Sequence, residues 1–210
     1  MRIDHAVYAV RDLDEAARKL LEGYGLESVP GGHHPQWGTA NRIAPLGRDY
    51  VELLSVVDAK AAAGSHLGRT LMELTAEGDR WFSVCLADPD IAVTAARLGI
   101  PVEPGSRTRP DGSVVSWEGA GIDAPSRPPW LPFFIAWKVP DDLHPGRVAA
   151  PAHPCGATGI AWAEVCGDEV RLAAWLGGED APIRVVDGPK RGLTAVALST
   201  PHGELVLRIP

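Results

Sequence analysis

Residues 2–21, RIDHAVYAVRDLDEAARKLL, read as a strand running into a helix, and the same reading recurs further along the chain. If residues 3–10 form a strand, side chains alternate with period two, and Ile3, Val7 and Ala9 share a face with His5. A titratable imidazole on an apolar face needs a partner. The helix that follows is well signalled. Asp12 caps it with Glu15 three residues on, and Leu13, Ala16, Ala17, Leu20 and Leu21 form one apolar stripe. Gly23 and Gly25 end it, ahead of GLESVPGG (25–32).

The pattern repeats. WFSVCLA (81–87) is a strand, DPDIAVTAARL (88–98) a helix, and GIPVEPGS (99–106) its sequel; aligning Gly25-Leu26 with Gly99-Ile100 also pairs Pro30-Gly31 with Pro104-Gly105. A weaker third copy runs through GIAWAEV (159–165), Asp168, EVRLAAWLGG (169–178) and IRVVDGP (183–189). Copies spaced by roughly 75 residues are too long for a solenoid and point to duplicated modules. After each of the first two helices come strands: TANRIAPLG (39–47) and DYVELLSVV (49–57), then SVVSWEGAG (113–121) and LPFFIAWKV (131–139). The chain divides into a first module at 1–60, a linker helix at 61–78 carrying Leu67, Leu71 and Leu74, a second module at 79–140, and an irregular, proline-rich crossing with a partial third module at 141–210. We expect one compact domain.

Composition narrows the function classes. With 210 residues, 45% hydrophobic and 22% charged, the chain reads as soluble and globular. A net charge of −7 without a basic patch argues against nucleic acid and anionic membranes as partners. Cys85, Cys155 and Cys166 have no metal-type spacing and read as reduced thiols of a cytoplasmic protein, monomeric or homodimeric. G-x-S-x-G, Walker, G-x-G-x-x-G and H-E-x-x-H motifs do not occur, so serine hydrolysis, nucleotide hydrolysis and nicotinamide chemistry have no support.

In DYVELLSVV, Glu52 shares a strand face with Tyr50, Leu54 and Val56. Burying that carboxylate ionised and alone is costly, so Glu52 and His5 suit one another. Two readings stand: a satisfied core pair, or an acid/base pair or half a metal site on a pocket floor. HHPQWGTAN (33–41) gathers His34, Trp37 and Asn41 after two glycines, as an ordinary loop or a pocket wall. RTRPDGS (107–113) places Arg107 and Arg109 before a turn. They are either an exposed hairpin tip or a fork for a carboxylate or phosphate. Trp117, Trp130 and Trp137 serve core packing, or in one or two cases cover a ligand. His66, His144, His153 and His202 lack a telling carboxylate and read as structural.

The strand-borne His5, the capped helix, HPQWGTANRIAPLGRDYVELLSV (34–56), RWFSVCLA, RTRPDG, SWEGAG, LPFFIAW and HPCGA together resemble the glyoxalase-like domain branch of the vicinal oxygen chelate (glyoxalase/bleomycin resistance/dioxygenase) superfamily. The resemblance spans nearly the whole chain. It implies an α+β fold of tandem βαβββ modules whose curved mixed sheets enclose a cleft, with a partial third module. It places His34 and Asn41 on a pocket wall. In metal-using members each module gives a ligand from its first and its fourth strand, which here would be His5 and Glu52. The second module offers Ser83 or Trp81, then Phe133 and Ile135. Two ligands fall short of the three usual at a catalytic zinc; His34 and Glu118 are the candidates to complete the set. The implied function is a glyoxalase-like enzyme of lyase, isomerase or dioxygenase type acting on a small molecule in the cleft. A divalent metal would polarise vicinal oxygens, with Glu52 as ligand or base and His5 as ligand. The alternative is a drug-sequestering or sensing protein that binds without chemistry, and a further one is a degenerate enzyme kept as a structural or regulatory partner. A small carboxylate with an apolar body is the expected ligand.

Overall fold

A computed structural model describes residues 1–209. The first module runs β1 (Arg2–Ala9), α1 (Leu13–Tyr24), β2 (Val29–His34), β3 (Thr39–Pro45) and β4 (Tyr50–Val56). Two short helices, α2 (Ala59–Ala62) and α3 (His66–Thr75), lead to the second: β5 (Arg80–Ala87), α4 (Ile91–Leu98), β6 (Val102–Thr108), β7 (Val114–Ala120) and β8 (Phe133–Trp137). The eight strands close into one barrel in the order β1-β4-β3-β2-β6-β7-β8-β5. Each module pairs its first strand in parallel with its fourth, and the two first strands pair antiparallel to each other. No described helix is long and apolar enough to cross a membrane.

Local chemistry sets the boundaries. The Asp12 carboxylate accepts the amides of Asp14 and Glu15, satisfying donors that the first turn of α1 leaves free. Gly25 and Gly99 close α1 and α4 in left-handed conformations, φ 63° and 64°, which glycine adopts without a Cβ penalty. Asp90, rather than Asp88, stands at the start of α4.

The third unit has β9 (Gly159–Cys166), α5 (Glu169–Leu176), β10 (Ile183–Val186), β11 (Gly192–Thr200) and β12 (Gly203–Leu207). Its strand order is β10-β9-β11-β12, with β10 beside β9 where the barrel modules put their fourth strand. It therefore forms a separate sheet. Leu172, Leu176, Val196 and Leu198 share one apolar cluster with the outer barrel residues Ala6, Tyr8, Val84 and Leu86. This layer covers the outside of β1 and β5, and Val7, Ala9, Leu54, Phe133 and Ile135 belong to a second cluster inside the barrel.

Strict alternation fails once in β1. Pairing with β5 slips between Ile3 and His5, so Asp4 and His5 together face Cys85. Ile3 joins the outer cluster instead of sharing the face of His5, which corrects the expectation of an unbroken strand. A bulge of this kind re-aims one side chain. Here it turns Asp4 towards His5.

Candidate active site

The barrel encloses a cavity of about 40 Å³ lined by His5, Val7, His34, Trp37, Asn41, Tyr50, Glu52, Leu54, Arg107, Trp117, Phe133, Ile135 and Trp137, with Leu67 of α3, Phe82 and Ile122. One water needs roughly 10–15 Å³ by such a measure, so the space suits a few waters or an acid of a few carbons. The strands place these residues by alternation. Tyr50, Glu52 and Leu54 face inwards from β4, while Val51 and Leu53 face the outer core. Two glycines make room. A Cβ on Gly31 would lie 2.1 Å from Asn41 Oδ1, and one on Gly105 would lie 2.3 Å from the Trp117 ring.

His5 and Glu52 both reach the cavity, but neither is the other's hydrogen-bond partner. His5 Nε2 stands 3.8 Å from Glu52 Oε2. His5 Nδ1 meets Asp4 Oδ1 at 2.9 Å, and Asn41 Nδ2 donates to Glu52 Oε1 at 2.5 Å. Fully buried Asp4 also accepts from Trp137 Nε1 at 3.2 Å and from His144 Nε2 at 3.1 Å. His144 Nδ1 in turn accepts the Gly146 amide, which fixes its proton on Nε2. Burial alone would raise the Asp4 carboxyl; the hydrogen bonds from His144 and His5 outweigh it and hold the group well below the usual carboxylate range. An ionised Asp4 is acceptor-only, so His5 carries its proton on Nδ1 and turns Nε2 to the cavity.

His144 thus belongs to the site rather than to the scaffold alone. It lies in the irregular crossing, which passes over the barrel through two 3-10 turns at Asp141–Leu143 and Pro145–Arg147. Asp4, which the sequence does not mark, and Tyr50, on the face of Glu52, belong to the site as well. The Tyr50 ring stacks on His5 with centroids 4.5 Å apart. Burial, and then Glu52, push its phenol well above the ordinary value, so it stays neutral.

The two arginines part company. Arg107 is buried in the cavity wall, its Nη1 donating to Asn41 Oδ1 at 3.4 Å, while its Nε and Nη2 have no hydrogen-bond partner among the described residues. Burial lowers its pKa, yet a guanidinium stays charged at neutral pH. Arg109 lies beyond the end of β6, in the turn, where Nη2 donates to the Leu143 carbonyl. It does not line the cavity, so the two-arginine fork is not formed. Among the other expectations, His34 lines the cavity with Nδ1 3.0 Å from Thr39 Oγ1; burial, and then Arg107, lower its pKa to about 3 and keep it neutral. Trp37, Trp117 and Trp137 line the space, whereas Trp130 packs in the outer core.

A three-ligand metal set is not assembled. His5 and Ser83 are each fourth in their strands, and Val7–Glu52 corresponds to Cys85–Phe133, so Phe133 stands where a second carboxylate would. The Ser83 hydroxyl is engaged by Arg127 Nη1 at 3.0 Å and by the Pro129 carbonyl. Glu118 pairs with Lys138 outside the cavity. Among the described residues, Asp4, His5 and Cys85 are the one group whose ligand atoms lie within 4.8 Å of one another. That group does not fit a cation either. Asp4 is already filled by N–H donors, and burial, Asp4 and Glu52 push the Cys85 thiol well above its ordinary value.

A family model described as "Glyoxalase-like domain" matches residues 3–179. No curated protein matches the chain. Among solved structures, a hypothetical protein from Staphylococcus aureus is 17% identical with TM-score 0.74, covering 93% of this chain and 89% of that one. A methylmalonyl-CoA epimerase from Streptomyces coelicolor in complex with 2-nitronate-propionyl-CoA is 20% identical with TM-score 0.46, over 66% of this chain and 99% of that one. The methylmalonyl-CoA epimerase of Mycobacterium tuberculosis is 15% identical with TM-score 0.43, over 64% and 85%. The likeness to the Staphylococcus aureus structure concerns the fold.

Proposed function

We propose a function from one premise: this chain belongs to the glyoxalase-like domain family of the vicinal oxygen chelate superfamily. It acts on a small organic acid inside the barrel, by moving a proton at a carbon next to a carbonyl. The observation that carries this reading is the gap between His5 Nε2 and Glu52 Oε2, 3.8 Å, with each group held by its own support. Asp4 orients His5, and Asn41 holds Glu52. A base backed by a carboxylate and aimed into an enclosed, mostly apolar cavity is the arrangement proton abstraction needs. In the step, a C–H bond breaks and its electron pair moves to the carbonyl oxygen, giving an enolate. The proton goes to His5 Nε2 or to Glu52. The nearby guanidinium of Arg107 favours the developing negative charge in a setting with little water to screen it. Return of the proton to carbon gives isomerase chemistry, and loss of a neighbouring leaving group gives lyase chemistry. No step is routed through a metal.

The test is deuterium incorporation at C3 of 2-oxobutyrate and 2-oxoisovalerate in D2O, followed by proton NMR. The expected result is exchange above the protein-free rate, lost in His5→Ala and Glu52→Gln. A second reading, binding without chemistry, is favoured by the apolar Phe133 at the position equivalent to Glu52. Binding of both oxo acids with no exchange at all would decide for it.

A further inference from the structure

Arg107 lines the cavity with at least three of its five N–H donors unused. Its Nη1 is taken by Asn41, while Nε and Nη2 are buried and unpartnered among the described residues. Those two nitrogens form one edge of the guanidinium. The N–H of Nε and one N–H of Nη2 run parallel along it, at the spacing of two carboxylate oxygens. Buried donors without acceptors are uncommon, because each gives up its water for nothing. We propose that this free edge is the receptor for the substrate's carboxylate, and that it takes a single monoanion without the help of a metal ion.

Charge and shape both narrow the ligand. The cavity wall holds the Glu52 carboxylate, and the Asp4 carboxylate lies behind His5; among the described residues, Arg107 is the one cation lining the space. A carboxylate matches the charge of one guanidinium, whereas a doubly charged phosphate would leave excess negative charge beside Glu52. The rest of the wall is apolar at Val7, Leu54, Phe133 and Ile135, and the space suits only a short body. The charge that a divalent ion would bring is therefore supplied by a side chain, consistent with a donor set that does not gather three ligands. The inference rests on the proton-transfer reading for placing the reacting carbon against His5 and Glu52. The anion site itself stands on Arg107.

The experiment uses the full chain after treatment with EDTA and follows tryptophan fluorescence, since Trp37, Trp117 and Trp137 line the cavity. Isobutyrate is expected to bind saturably, and isobutyramide about tenfold more weakly or worse, because the charge-assisted pair is lost. Arg107→Gln should weaken isobutyrate by a similar factor, and Arg107→Lys by less. The comparison of acid with amide on the native chain stands even if Arg107→Gln does not fold. Equal binding of the amide, binding only after addition of Zn or Mn, or displacement of isobutyrate by inorganic phosphate at equal concentration would overturn the proposal. Isobutyrate binding without any exchange of oxo acids would defeat the proton-transfer reading and uphold this one. Exchange without acid-selective binding would do the reverse.

Discussion

Asp4 and His5 are consecutive in β1, yet their side chains are hydrogen-bonded, Oδ1 to Nδ1 at 2.9 Å. A regular strand would send them to opposite faces. The bulge against Cys85 brings them together, and the same carboxylate then collects His144 and Trp137.

Asp4→Asn should therefore be among the most damaging conservative substitutions in the chain. An amide cannot accept from all three N–H groups without turning its own NH2 towards one of them. Leaving one of these buried donors unsatisfied costs roughly 1–3 kcal/mol. The effect depends on pH with a definite sign. The folded pKa of Asp4 is depressed, so its stabilisation is fully present above the unfolded carboxylate value, about 3.9, and is lost as pH falls below it. Urea midpoints of the two proteins should converge as pH falls towards the acid limit. A constant gap down to the lowest accessible pH would count against an ionised Asp4.

Glu52 should couple more strongly to Asn41 than to His5. At 3.8 Å the His5–Glu52 approach is outside hydrogen-bond range, whereas Asn41 donates to Glu52 directly. A double-mutant cycle on Asn41→Ala and Glu52→Ala should give a coupling of roughly 0.5–3 kcal/mol. The cycle on His5→Ala and Glu52→Ala should give a smaller coupling, because no hydrogen bond joins the two side chains. The reverse ranking would mean that His5 and Glu52 are a structural pair after all.

Asp49 predicts the opposite pH trend from Asp4. Burial raises its pKa to about 7, against the opposing hydrogen bond from the Ile160 amide and the charge of Arg2. Between about 3.9 and that value the unfolded chain has given up a proton that the folded chain keeps. Asp49 thus favours the fold most below that window, and its contribution declines as pH rises to about 7 and is level above. Asp49→Asn keeps an acceptor for Ile160 and removes the titration. Melting temperatures at pH 5 and pH 8 should show the variant gaining on the native protein at the higher pH, and an unchanged difference would refute the shift.

Much of this site could be read from residue order. Alternation from Glu52 places Tyr50 and Leu54 inside, and Arg107, Trp117 and Asn41 reach the cavity from strands whose period is regular. The duplicated caps and closing glycines mark the two modules. What escaped the sequence are departures from period. Asp4 is hidden by a bulge that no residue pattern announces. His144 comes from a segment with no period at all. Arg109 fails because β6 ends at Thr108, and two residues past Arg107 the chain is already turning.

Gly31 offers a test of how tightly the anion site is built. It has no positive φ, so alanine meets no backbone penalty there. Its cost is purely one of space, since the new methyl would lie 2.1 Å from Asn41 Oδ1 and 3.0 Å from Arg107 Nη1. Asn41 would have to turn, giving up Glu52 on one side and Arg107 on the other. Overpacking of this order costs roughly 1–3 kcal/mol, and the displaced Arg107 should lose its selectivity for isobutyrate over isobutyramide. Gly23→Ala is the matched control. It lies within α1 with nothing inside 4 Å of the added carbon, so helix propensity alone should stabilise it by up to about 1 kcal/mol. If Gly31→Ala behaves like Gly23→Ala in both stability and acid selectivity, Asn41 does not position Arg107, and the free edge must be held by something else.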